Sequence, residues 1–183
     1  MKGKYAVPET FTIRFDKTDS HTFLLSTHQI LPIPMEKAFS FFERPENLSE
    51  ITPDWLNFRF DRRGIQSKTY KGAEFNYMIR WFGIRIKWHT IISEYCRPEL
   101  FTDVQVKGPY ALWKHLHTFE PVPEGTLMKD LVTYRIPFGF IGNLLLGAII
   151  RKQLRDIFSY RAVRIAEWVS GTFKRKLRSY PLS

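Results

Sequence analysis

Hydrophobic and polar residues alternate along much of this chain, and near its end they recur every three to four positions. Phe23, Leu25 and Thr27 alternate with Thr22, Leu24, Ser26 and His28, which predicts a strand ending before Pro32. Pro34 can open a helix; Met35, Ala38, Phe39 and Phe42 keep helical spacing until Pro45 stops it. Glu46 to Ile51 predicts a second short helix, closed by Thr52-Pro53-Asp54. Period-two alternation then returns. It predicts strands at Trp55–Asp61, Glu74–Phe82, Ile84–Thr90, Leu100–Lys107, Leu112–Phe119 and Leu127–Ile136, with Gly83 as a tight turn. Clean alternation gives each strand one wet and one covered face, the habit of an antiparallel sheet. The first twenty residues have weak periodicity and read as an arm.

From Ile141 to about Ser170 the period is helical. Ile150, Leu154, Ile157, Phe158, Ile165, Trp168 and Val169 fall on one side, with Lys152, Arg155 and Asp156 opposite. A long amphipathic helix needs a broad apolar surface, and the covered face of the sheet is the only one of that size. The expected fold is α+β: a curved antiparallel sheet of about seven strands wrapped around a long C-terminal helix, with two short helices after the first strand. The expected division is an arm at 1–20, one domain at 21–170 and a basic tail at 171–183.

This order, together with certain local runs, resembles the helix-grip fold of the START/SRPBCC superfamily, which includes the birch pollen allergen and the polyketide cyclases. The runs are Phe101-x-Asp103-x-Gln105-x-x-Gly108-Pro109 and Trp113-x-His115-x-His117-x-Phe119, with Asp130, Tyr134-x-x-Pro137 and Phe158-x-Tyr160-Arg161. They are similar to those of uncharacterised bacterial members, over roughly residues 21–170. The resemblance implies a cavity between sheet and helix for a hydrophobic or amphipathic small molecule: a lipid, an isoprenoid or a polyketide-like aromatic. A minority of the superfamily are enzymes. It also implies that the segment Pro137 to Asn143 lies at the cavity mouth, where Phe138 would act in a gate.

Composition narrows this picture. The chain has 16 Phe, 8 Tyr and 5 Trp among 183 residues, enough large rings either to fill a core or to line a cavity. The single cysteine, Cys96, excludes an intramolecular disulfide framework and a cysteine zinc cluster, and suits a reducing, cytoplasmic setting. The N-terminus has no apolar h-region, and the apolar run from Phe138 to Ile150 is too short for a bilayer span. Net charge is +10, from 28 Lys/Arg against 18 Asp/Glu, and residues 151–183 carry nine of those cations. Such a segment attracts anionic membrane surfaces; nucleic acid is a poorer fit, because the rings are placed as core. Walker, Rossmann, nucleophile-elbow and zinc-helix motifs are absent, so no cofactor is called for and no metal is assigned.

Polar residues on faces that should be apolar are the informative ones. Lys114 marks the wet face of its strand, which puts Trp113, His115 and His117 inside. Lys129, Thr133 and Arg135 mark the wet face of the last strand, which puts Asp130 and Tyr134 inside. Arg161 falls within the apolar stripe of the helix. A buried guanidinium calls for an acidic partner, Asp130 first and Asp103 second. The expected cluster is His115, His117, Asp130, Tyr134 and Arg161, joined by Asp103 and Gln105. Three readings stay open for it. One is a hydrogen-bond network pinning helix to sheet. The second is a ligand-orienting group, with Tyr77, Trp81, Trp88, Trp113 and Phe158 as apolar walls. The third is catalysis of the cyclase, dehydratase or hydrolase type by His115 or His117 with Asp130, or a two-histidine, one-carboxylate metal site.

Overall fold

The computed structural model describes residues 5–60, 69–81 and 83–176. Eight strands form one antiparallel sheet: β1 (Phe11–Lys17), β2 (Thr22–Leu31), β3 (Arg59–Phe60), β4 (Glu74–Trp81), β5 (Ile84–Cys96), β6 (Leu100–Lys107), β7 (Leu112–Val122) and β8 (Gly125–Arg135). Their spatial order is β1-β2-β8-β7-β6-β5-β4-β3. The chain makes one hairpin, crosses through α1 (Met35–Phe42) and α2 (Pro45–Glu50), and meanders back until β8 docks on β2. The helix α3 (Gly139–Val169) closes the structure.

The helix lies on the sheet through Ile150, Leu154, Phe158, Ala162 and Ile165, a stripe spaced by three or four residues and all buried. Two apolar clusters meet along it. One gathers Phe39, Phe101, Phe119 and Ile165; the other gathers Trp88, Trp113, Tyr134, Leu154 and Phe158. Glycine is needed where backbones close in. A Cβ on Gly125, at φ +132°, would stand 2.2 Å from the Leu31 carbonyl oxygen where the β7–β8 turn meets the end of β2.

The helix-grip expectation holds, with corrections at the edges. Part of the expected N-terminal arm is β1, whose Phe11 to Lys17 pair with Gln29 to Phe23. As an edge strand it is covered only in part and carries Arg14, Asp16 and Lys17, which blurs its alternation. The strand expected from Trp55 shrinks to Arg59–Phe60. Asp54–Leu56 form a single 3-10 turn, and Asn57 follows at φ +45°, a left-handed conformation that asparagine tolerates. The rest of that expected strand, at Asp61, lies outside the described residues, as does Phe82. Pro137–Asn143 is not a loop: α3 starts at Gly139. Of the basic tail, residues 171–176 fold back on α2 and the 3-10 turn, with the Lys176 amide donating to Glu50 Oε2 at 2.9 Å and its ammonium 2.9 Å from Asp54. Residues 177–183 lie outside the described residues.

Candidate functional site

Strand register builds the polar cluster. Asp130 on β8 stands opposite Thr27 on β2 and His117 on β7; Asp103 on β6 stands opposite His115. These five polar residues therefore occupy adjacent positions on the covered face; Thr27 bonds straight across to Asp130, and the histidine–carboxylate hydrogen bonds run diagonally. His115 Nε2 is 2.9 Å from Asp130 Oδ1, and His117 Nε2 is 3.3 Å from Asp103 Oδ2. Thr27 Oγ1 donates to the other Asp130 oxygen at 3.0 Å. His117 Nδ1 also approaches Asp130 Oδ1 to 2.8 Å, off the line a hydrogen bond needs, so that contact is one of charge. The imidazoles lie over one another, with centroids 3.8 Å apart.

Burial opposes ionisation of Asp130, but the two histidines outweigh it and hold the carboxyl well below the usual range. Burial likewise opposes charge on Asp103, and His117, His115 and Arg161 bring its pKa down. His115 and His117 move apart. Burial, aided by repulsion from His117, pushes His115 down; for His117 burial is outweighed by the two carboxylates, which raise it. These directions favour ionised carboxyls at Asp103 and Asp130 and protonation of His117 ahead of His115.

A cavity of about 160 Å³ opens beside this cluster, between sheet and helix. Asp103, His115, His117 and Arg161 supply its charged wall, and aromatic rings with Ile79, Ile92, Leu154 and Ile157 supply most of the rest. Of the residues expected to bind ligand, Tyr77, Trp81, Trp88, Asp103, Trp113, His115, His117, Phe158 and Arg161 line the cavity. Four others do not. Asp130 sits behind the histidines as their acceptor. Gln105 turns to the Tyr110 backbone, donating to its carbonyl at 2.7 Å. Tyr134 is buried away from the polar cluster, stacked on Phe23 at 5.5 Å. Phe138 is 82% exposed and caps nothing. Residues outside the expectation also line the cavity, among them Phe58, Tyr110 and Gln153. Tyr110 sits in a turn, where alternation assigns no face, and Gln153, which accepts from the Trp81 indole at 2.9 Å, flanks the helical stripe.

The expected ion pair between Arg161 and Asp130 is not formed. No carboxylate of the described residues comes within 4.0 Å of the guanidinium; Asp130 is already committed to Thr27 and His115, and acts on Arg161 only at longer range. Arg161 is buried with its guanidinium carbon 4.8 Å from the centre of the Phe158 ring, and its Nε–H has no acceptor among the described residues. The Trp88 indole N–H is also buried and without an acceptor among the described residues. Both groups can only donate.

Asp103, His115 and His117 offer three metal-ligand atoms within 4.8 Å of one another. The Nε2 atoms of the two histidines meet carboxylate oxygens at 2.9 and 3.3 Å, so these nitrogens are engaged in hydrogen bonds with Asp130 and Asp103. No helix among the described residues is long and apolar enough to cross a membrane.

Comparison with known proteins agrees with this architecture. The family described as "Polyketide cyclase / dehydrase and lipid transport" matches residues 31–159, and the chain belongs to it. This places the protein in the START/SRPBCC superfamily. A solved protein from Chromobacterium violaceum superposes with TM-score 0.61 at 14% identity, over 80% of this chain and 96% of that one. One from Mycobacterium smegmatis gives 0.60 at 13%, over 88% and 98%. One from Thermus thermophilus gives 0.60 at 16%, over 91% and 100%. At such identities the likeness is one of fold. No curated protein matches the chain.

Proposed function

We propose that the protein binds a hydrophobic small molecule bearing a hydrogen-bond-accepting, preferentially anionic, end. The observation that carries this reading is a pair of buried donors without acceptors, Arg161 Nε–H and Trp88 Nε1–H, on residues of an otherwise aromatic cavity. A buried donor left unpaired is costly, by about 1–3 kcal/mol and more for a charged group. A ligand oxygen relieves that cost, while the rings cover its apolar part. The family description, which spans polyketide chemistry and lipid transport, fits a ligand of this kind. The cavity's volume of about 160 Å³ is close to the ~150 Å³ that holds benzene in an engineered core, so the enclosed part of the ligand is about one ring in size. Aromatic monocarboxylates such as cinnamate, titrated against their methyl esters by tryptophan fluorescence, test this. The acids should bind more tightly than the esters, and Arg161→Met should erase the difference. Equal affinities in the wild type would refute it.

The His–Asp network favours a second reading, an acid–base enzyme on the same ligand class. His117, on the cavity wall, is held toward its protonated form by Asp103 beside it and Asp130 behind it, as a proton donor to a carbonyl or enolate oxygen would be. Deuterium uptake next to the carbonyl of an aryl ketone in D2O, followed by NMR, tests this. The reading requires uptake above the buffer rate that His117→Phe removes.

A further inference from the structure

We propose that the N-terminal part of α3 is a docking tip that enters the interface of an anionic lipid bilayer. Six large apolar side chains, Phe138, Phe140, Ile141, Leu144, Leu145 and Ile149, are between 48% and 82% exposed there. Contiguous apolar patches of this kind are uncommon on soluble proteins and mark interaction sites. Here the helix turns Gly142 and Ile150 inward, and Phe140, Ile141, Leu144 and Leu145 on its other side are exposed.

The character of that outer side changes along the axis. Two turns beyond Leu144 and Leu145, the same side carries Arg151, Lys152 and Arg155, all exposed. At 1.5 Å per residue Arg151 and Lys152 lie roughly 10 Å behind the leucines and Arg155 roughly 16 Å. No carboxylate occurs between Gly139 and Arg155; the first, Asp156, pairs with Lys152 at 2.9 Å. An apolar tip with a cationic collar about 10 Å behind it matches the layering of a bilayer, where an inserted apolar face reaches roughly 5–10 Å below the headgroups and basic residues meet the phosphates. A second copy of the chain fits less well. The face carries no carboxylate before Asp156, so a second copy offers the three cations no counter-charge, whereas anionic headgroups do.

Sedimentation of the full chain with vesicles tests the proposal, using phosphatidylcholine alone and an equimolar mixture with phosphatidylserine. Binding to the mixed vesicles is expected, weakening as salt is raised. The double variant Leu144→Asp/Leu145→Asp, exposed positions whose change leaves the core intact, should lose about tenfold or more in binding, with an unchanged circular dichroism spectrum. Arg151→Glu/Lys152→Glu should lose at least about fivefold per charge on the anionic vesicles and little on the neutral ones. Failure of the wild type to sediment, or undiminished binding by the leucine variant, overturns the proposal. So does a wild-type dimer, seen by light scattering, that the leucine variant breaks without any vesicle binding, because the patch then belongs to a second copy.

Discussion

Replacing Asp130 with asparagine removes the more deeply buried of the two carboxylates, Asp130 and Asp103, that both imidazoles share. The side chain is 2% exposed and accepts from Thr27 at 3.0 Å and from His115 at 2.9 Å, with His117 Nδ1 2.8 Å away. Asparagine keeps an oxygen for Thr27 but presents an amide to one histidine and no charge to either. Breaking a buried charged network in this way costs about 3–5 kcal/mol. For a chain of this length each kcal/mol lowers Tm by about 2–4 °C, so Asp130→Asn should melt about 6–20 °C below wild type near neutral pH.

The pH dependence sharpens that test. Asp130 is depressed from 3.8, so its contribution is present above that value and is lost as pH falls further. His117 is raised from 6.5, so its contribution is full below 6.5 and is lost as pH climbs through the raised value. His115, lowered from 6.5, opposes His117 just below that point, so the informative limbs are the acid one below about 4 and the one above 6.5. Thermal melts of wild type and variant across pH should show both limbs shallower in the variant. A variant within about 1 kcal/mol of wild type, with parallel pH profiles, would refute the network as drawn.

Further predictions come from the same geometry. His117→Phe keeps the ring stacked 4.3 Å from Phe101 but takes the hydrogen-bond donor from buried Asp103, so urea unfolding should show a loss of about 3–5 kcal/mol, comparable with Asp130→Asn, while preference for acids over esters narrows. Tyr134→Phe, outside the cavity, should leave cinnamate affinity within about twofold of wild type; a larger loss would place that hydroxyl in the site. Gly125→Ala forces a side chain to 2.2 Å from the Leu31 carbonyl at φ +132°, and should cost about 2 kcal/mol or more in urea unfolding.

The fold was legible because period-two alternation and one helical stripe specify its central elements; the order of those elements then left one natural way to cover both. The edges were less so. β1 is half covered and charged, and Asn57 breaks a run that alternates well on paper. In the site, the marks of Lys114 and Lys129 were enough to turn His115, His117 and Asp130 inward. Asp103 was ambiguous, since Thr102 on the alternate face is buried as well, donating to Glu94 at 3.0 Å. The partner of Arg161 was illegible for a different reason. Sequence gives its proximity to acids, whereas diagonal hydrogen bonds across four strands decide which group satisfies Asp130. Phe138 read as part of a gate at the cavity mouth, yet it and its apolar neighbours are exposed on a helical side that none of the described residues covers.

The most direct test of the central claim watches the two unpaired donors. In a 15N correlation spectrum the Arg161 Nε–H and Trp88 Nε1–H give their own signals, assigned through Arg161→Met and Trp88→Phe. Addition of cinnamate should move both signals together, saturably and downfield, as each gains an acceptor, while the methyl ester moves them less. If a bound acid leaves both signals in place, or if only residues at the exposed start of α3 respond, the cavity is not where this protein recognises its ligand.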